Sequence, residues 1–340
     1  MRLENLLREK IYAFAQNNTP SDMERKMLDE IFAREKLKKI NAAKIIDNND
    51  NYDSYECQSG ESKYCVKVTL DPNDQTIKRD AAFLSYENNK TPKFFSSGEL
   101  KNWGAKYSIQ EFLNGQSAAE LGKSFLAARK EEFIDSLRLV HKTDSGQSRS
   151  FYQYLSDDYI LSDFKKLDVD FSIDKEVGEI RVQELSATKE LIKSLYSPVL
   201  DSKEYLHGQI TPSRIILGGE LKLINFDHSY HGNPLLDILG LKYEFFLHES
   251  VEMELLKLYR QYRQFSNEEY SAAAKIIKVI KFHDLITEFI KQVYVYKGVR
   301  ARKILELTEK MSRSFGHFAG LEPFEKHKDK IAELFTSSVI

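Results

Sequence analysis

The first forty residues repeat apolar positions at intervals of three and four. Leu3, Leu6, Leu7, Ile11 and Phe14 fall on one helical face. Thr19, Pro20, Ser21 and Asp22 break the pattern, and Ser21 is placed to cap a second helix through MERKMLDEIFAREKLKKI. The period then changes. AAKIID (42–47), YDSYECQ (52–58) and KYCVKVTL (63–70) are short, rich in β-branched and aromatic residues, and separated by NND and SGES turns. They predict two or three strands in a meander. Residues 77–89 return to helical spacing, with Ile77, Ala81, Phe83 and Leu84 inward, and 106–115 predicts a strand that ends in an Asn114-Gly115 turn.

From Ser117 onward the spacing is mostly helical: SAAELGKSF, KEEFIDSLRLVHKT, KEVGEIRVQELSATKELIKSLYSPV and nearly all of 249–340. One interruption stands out. Residues 214–217 and 221–226 are β-like and flank Gly218-Gly219, the pattern of a tight hairpin. The expected order is a helical extension over 1–38, a small β-rich lobe over 39–115 that closes on a hinge near 110–116, and a helical lobe over 116–340 carrying the hairpin. That is an α+β, bilobal plan.

Composition narrows the partners. The 50 Lys and Arg nearly cancel the 52 Asp and Glu, for a net charge of -2. Bulk electrostatics therefore excludes a strongly basic nucleic-acid binder and an acidic disordered chain. With 41% hydrophobic residues there is material for a packed core. Two cysteines, Cys57 and Cys65, are too few for a disulfide framework and fit a reducing compartment. They lie symmetrically about the SGES turn and are expected to face each other across a hairpin as half-buried thiols, with a redox pair as the alternative. No run of about 18 apolar residues exists to span a membrane, and the N-terminus lacks the apolar stretch of a secretory signal. A cytoplasmic location, without membrane or nucleic-acid partners, is the expectation.

Chemistry concentrates in 206–241, LHGQITPSRIILGGELKLINFDHSYHGNPLLDILGL. This segment resembles the aminoglycoside-phosphotransferase and choline-kinase family, small-molecule relatives of the protein kinases. Their pattern is H-G-D-x-x-x-x-N, a hairpin, I-D-F/W-[DE], then G-D-P-x-x-D-L. The frame is present in His207-Gly208, the spacing to position 214, the hairpin, Ile224, Phe226-Asp227 and the run from Gly232 to Ile238. The resemblance implies a protein-kinase-like fold, ATP or another nucleotide as cofactor, and a small molecule or nucleotide in the interlobe cleft.

The reactive groups differ from that pattern. Gln209 stands where the family has the Asp that orients and deprotonates the acceptor hydroxyl. Arg214 stands for a metal-ligating Asn, and Asn225 for the Asp that holds Mg²⁺ on the phosphates. Glutamine is no base near neutral pH, and losing a positioned base costs about 10²–10⁴ in rate. Mg²⁺ seeks hard oxygen ligands, usually including a carboxylate, and the guanidinium of Arg214 repels a dication. Each replacement makes the locality more positive. The pattern reads as a pseudokinase that uses no Mg²⁺.

The nucleotide side keeps Lys67, at the family's strand lysine, and Asp80 as its helix partner. Glu111 at the hinge, Arg214 and Asn225 complete the nucleotide-side candidates. The turn over 48–53 holds no glycine for close phosphate approach and two aspartates that repel it. Asp227 is the possible surviving acid. Because Arg214 opens the hairpin and Asp227 follows it, the two are expected to form a charge-assisted pair. His207 and Asp237 are expected to brace the catalytic loop. His228 and His231 beside Asp227 read as a polar cleft rim, His141 as packing, and the basic group Lys297, Arg300, Arg302 and Lys303 as a solvated face. The aromatic and acidic residues of 151–171 suit a cationic amine, or core.

Three functions follow: a catalytically impaired nucleotide- or anion-binding, regulatory module; a diverged ATP-dependent phosphotransferase acting on a hydroxylated amine or sugar; or a scaffold whose helices meet a protein partner.

Overall fold

The structure is a computed structural model, and it describes residues 19–48, 52–71, 74–86, 88–122, 124–143, 149–155, 190–290 and 318. The helix expected before residue 19, the 151–171 segment beyond residue 155, most of the 175–199 helix and the basic group near 300 lie outside these residues.

Helix α1 (Asp22–Arg34) starts where the sequence places it. Ser21 caps it, and Glu24 closes a reciprocal capping box that satisfies two backbone donors. Strands β1 (Ala42–Asn48), β2 (Asp53–Ser59) and β3 (Ser62–Thr69) form the expected meander, joined by a two-residue turn at Gly60-Glu61. After helix α2 (Thr76–Leu84) come β4 (Phe94–Leu100) and β5 (Ala105–Glu111). The five strands make one antiparallel sheet in the order β1-β2-β3-β5-β4. Strand β4 was not legible, because Phe-Phe-Ser-Ser-Gly-Glu-Leu contains no β-branched residue.

The two faces of this sheet differ. Alternation sends Tyr55, Cys57, Val66, Val68, Tyr107 and Ile109 to one face, where they bury Met27, Leu28, Ile31 and Phe32 of α1. Helix α1 therefore shares a core with the sheet. The opposite face carries Ser54, Cys65, Lys67, Thr69, Ser108 and Gln110, and all six are buried too. A polar face without water is costly unless its groups are bonded.

The register also corrects the cysteine expectation. Ser59 pairs with Ser62, so Cys57 lies opposite Tyr64 and Cys65 opposite Glu56. The thiols point to opposite faces and do not meet. Burial first, then the proximity of Cys65 and nearby acids, pushes the Cys57 thiol up to about 12. It is a packed, unreactive group at neutral pH, and both cysteines are free.

Strands β6 (Gln116–Ser117), β7 (Ile215–Gly218) and β8 (Glu220–Leu223) form a second small sheet, in which β7 and β8 are the expected hairpin. The Asn114-Gly115 pair is a close crossing. A Cβ on Gly115 would lie 2.4 Å from the Leu217 carbonyl oxygen, and one on Gly218 would lie 2.2 Å from that of Asn114. Only glycine lets these two chain segments pass.

Two compact units divide the described residues. One gathers the described parts of 12–148 and 204–229, and so joins the sheet to the 206–229 segment. The other takes those of 149–203 and 230–340, and is mostly helical. In it, helix α4 (Leu235–Phe245) packs on α5 (Glu249–Tyr259) and α6 (Asn267–Ile290); α3 (Lys130–His141) belongs to the first unit. No helix among the described residues is long and apolar enough to cross a membrane.

Candidate functional site

The polar sheet face and the segment after the hairpin build one site inside the first unit. Lys67 projects from β3, opposite Ser54 on β2 and Ser108 on β5. Its ammonium lies 2.5 Å from Asp80 Oδ2 of α2, with each side chain only 1% exposed. The other carboxylate oxygen, Asp80 Oδ1, accepts the backbone N–H of Phe226 at 2.8 Å. One aspartate thus ties sheet, helix and post-hairpin segment together.

Aromatic packing holds that segment from the side. Phe226 stacks on Phe83 of α2 with ring centres 3.9 Å apart, Phe83 stacks on Tyr205 at 4.6 Å, and the His207 ring lies 4.7 Å from Phe226. His207 Nε2–H donates to the Ile224 carbonyl at 2.8 Å. Gly208 follows with φ 81°, a left-handed turn that favours glycine. Asn225 also has positive φ, 64°, which Asn tolerates better than most side chains.

Arg214 reaches Asp227 because the hairpin brings its two ends together: Ile224 N–H donates to the Arg214 carbonyl at 3.0 Å. The guanidinium Nη1 then donates to the Asn225 carbonyl at 3.0 Å and to Asp227 Oδ1 at 2.8 Å. Arg214 is 14% exposed and Asp227 3%. The Tyr52 hydroxyl donates to Asp227 Oδ2 at 3.3 Å, and Arg79 Nε donates to the Asp227 carbonyl at 2.8 Å. The Lys67 ammonium sits 5.2 Å from the centre of the Tyr52 ring.

Burial alone pushes the Asp227 carboxyl up. Arg214 overrides this, helped by His228, Lys67 and His207, and holds it well below the usual carboxylate range. Burial likewise disfavours the charge on Arg214, and Asp227 more than restores it. A carboxyl depressed in the folded state binds fewer protons there than in the unfolded chain, so stability rises with pH across that interval. This contribution is complete above the ordinary value of 3.8 and is lost as pH falls from there toward the folded value. Denaturant titrations between pH 6 and pH 3 are expected to show steeper acid loss in the wild type than in Asp227→Asn. Parallel curves would mean that the carboxylate is not paired.

The remaining candidates are placed differently. Glu111 accepts Lys222 Nζ at 2.8 Å and Lys93 N–H at 3.1 Å. Burial opposes its charge, but these two partners together hold its carboxyl below the usual carboxylate range. It locks the strand end to the hairpin. Gln209 is half-buried on its loop and, among the described residues, makes no side-chain hydrogen bond. Asp237 belongs to the other unit, buried in the first turn of α4. There its charge adds to burial in raising the Tyr230 phenol.

A divalent metal does not fit these side chains. All four carboxylate oxygens of Asp80 and Asp227 are engaged, three of them by Lys67, Arg214 and a backbone N–H. The fourth accepts Tyr52. Among the described residues no group of three or more His, Cys, Asp or Glu is arranged to hold a metal. Two members of the site, Tyr52 and Arg79, carried no functional expectation. Arg79 stands next to Asp80 and Tyr52 lies within the 48–53 turn, but neither has a motif to mark it.

No family model matches the sequence, and a search of curated proteins finds no match. Solved structures do match. A thermostable mutant of aminoglycoside phosphotransferase APH(4)-Ia aligns over 87% of this chain and 99% of its own, with TM-score 0.57 and 12% identity. Choline kinase LicA from Streptococcus pneumoniae aligns over 86% and 99%, with TM-score 0.57 and 15% identity. Spectinomycin phosphotransferase APH(9)-Ia, in complex with ADP and spectinomycin, aligns over 92% and 98%, with TM-score 0.51 and 14% identity. The fold is α+β and protein-kinase-like, an N-terminal antiparallel sheet followed by a mostly helical region. Within that class it is the fold of the aminoglycoside phosphotransferases and choline kinases.

Proposed function

We propose that this protein uses the phosphotransferase fold to bind a phosphate-bearing anion, a nucleotide in the first instance, without a divalent cation and without transferring phosphoryl groups. The observation that carries the reading is the buried Arg214–Asp227 pair, 2.8 Å between charged atoms. Phosphoryl transfer relies on metal ions and positioned cations to neutralise the developing charge, and on a base or positioning group for the acceptor. Here a guanidinium takes the carboxylate a metal would need. Gln209 offers the acceptor no base, which alone costs about 10²–10⁴ in rate. Lys67, Arg79 and Arg214 supply fixed positive charge in place of the ion. Nucleotide is the favoured ligand because structures of this fold include ADP and GDP complexes.

Thermal shift with ATP, in Mg²⁺ or in EDTA, tests the reading. An equal upward shift in both is expected. A shift that requires Mg²⁺, or ATP turnover above that of Lys67→Ala, would falsify it.

A second reading, a diverged phosphotransferase, draws on the intact Lys67–Asp80 pair and the assembled Phe83–Phe226–His207 packing. It requires Asp227 to exchange Arg214 for a metal.

A further inference from the structure

Tyr52 ends the chain's approach to β2 and is 3% exposed. Its ring lies beneath the Lys67 ammonium, 5.2 Å from centroid to nitrogen, and its hydroxyl donates to Asp227 Oδ2 at 3.3 Å. The other oxygen of the same carboxylate holds Arg214 at 2.8 Å. One phenol therefore touches Lys67 directly and Arg214 through its counter-ion, the two cations that an anion would have to reach together.

We propose that Tyr52 is a built-in competitor: it fills the phosphate position of the ligand-free protein and is expelled when a phosphate-bearing anion enters. This rests on the metal-free binding reading given above. Three features support it. The bond to Asp227 is long for O–H···O, and such bonds to a carboxylate are normally 2.5–2.7 Å. The ring's attraction for Lys67 is a cation–π contact, weaker than a full ion pair with phosphate. The β2–β3 pairing begins one residue later, at Asp53 opposite Val68. Tyr52 can thus leave without breaking the ladder that positions Lys67.

A site that is open only a fraction of the time binds more weakly by that fraction. Removing the hydroxyl bond, which favours the closed state, raises the open fraction. Tyr52→Phe keeps the ring beneath Lys67 and removes the hydroxyl's bond to Asp227. Calorimetric titration of the full chain in EDTA, with ATP in one arm and tripolyphosphate in the other, is expected to show binding about tenfold tighter in Tyr52→Phe than in the wild type. Tyr52→Ala is expected to bind at least as tightly. Tightening in both arms assigns the competition to the phosphates; tightening with ATP alone assigns it to the nucleotide as a whole, and either result supports expulsion. Hydroxyl-radical labelling of wild-type Tyr52 gives a second measure, protected without ligand and labelled at saturating ATP.

Unchanged affinity in Tyr52→Phe, with Tyr52 still protected at saturating ATP, would overturn the competitor and leave metal-free binding standing. If ATP binds only with Mg²⁺, the metal-free reading fails while labelling with MgATP still decides the competitor: exposure upholds it, protection ends it. Absence of binding in all three proteins would remove both.

Discussion

Asp80→Ala is expected to cost about 3–5 kcal/mol of folding free energy, the range for removing one partner of a buried ion pair. The expected loss lies toward the upper end, because Asp80 serves two groups. Its removal strands the Lys67 ammonium at 1% exposure, and it leaves the Phe226 N–H without its acceptor. Lys67→Met should cost less. The remaining carboxyl group still accepts the Phe226 N–H, so only one of the two ties is lost. Urea titration of the three proteins reads the order directly. Equal stabilities, or a loss below about 1 kcal/mol in Asp80→Ala, would show that the buried pair is not what joins α2 to the post-hairpin segment.

The second large effect is a gain. The triple variant Gln209→Asp, Arg214→Asn, Asn225→Asp is expected to acquire a Mg²⁺-dependent response to ATP. Removing Arg214 releases Asp227 Oδ1, and an aspartate at 225 adds a second carboxylate two residues away. The backbone tolerates this change, since Asp, like Asn, accepts the positive φ of 64° found there. Without metal, carboxylates at 225 and 227 stand two residues apart without the Arg214 guanidinium, and their repulsion should make the variant melt below the wild type in EDTA. Mg²⁺ with ATP at about a hundred times its dissociation constant would return roughly 2.7 kcal/mol. Measurable ATP turnover should accompany it, with the restored base contributing about 10²–10⁴. A variant as indifferent to Mg²⁺ as its parent would mean that positions 209, 214 and 225 do not share the chemistry assigned to them.

Much of this site was legible before any coordinates. The Arg214–Asp227 pairing follows from the hairpin itself, because strands that fold back around Gly218-Gly219 return their ends to one place. Lys67 and Asp80 were marked only by the family resemblance, at its strand lysine and the helix partner of that lysine. Tyr52 was not. Its role depends on where a ring lands relative to three side chains from distant segments, and no local spacing encodes that.

The cysteines show the same limit at smaller scale. Cys57 lies two residues before SGES and Cys65 three residues after it, so setting them face to face miscounts by one, and the pairing about Gly60-Glu61 puts Cys57 against Tyr64. In a strand one position reverses the face. The two thiols therefore lie on opposite sides of the sheet.

By itself the amino-acid order determined the strands of the meander, the capped helix α1, the hairpin, and the presence of Gln209, Arg214 and Asn225 around it. These depend on neighbours in the chain and on side-chain chemistry. Only the tertiary structure decided that the alternating Val66-Lys67-Val68-Thr69 strand is covered on both faces rather than one. It also decided that Asp80 divides its carboxylate between Lys67 and Phe226, and that Tyr52 meets both Lys67 and Asp227. The reason is physical: burial and charge pairing arise between segments far apart in sequence, and they acquire their strength only once water has been excluded from both sides.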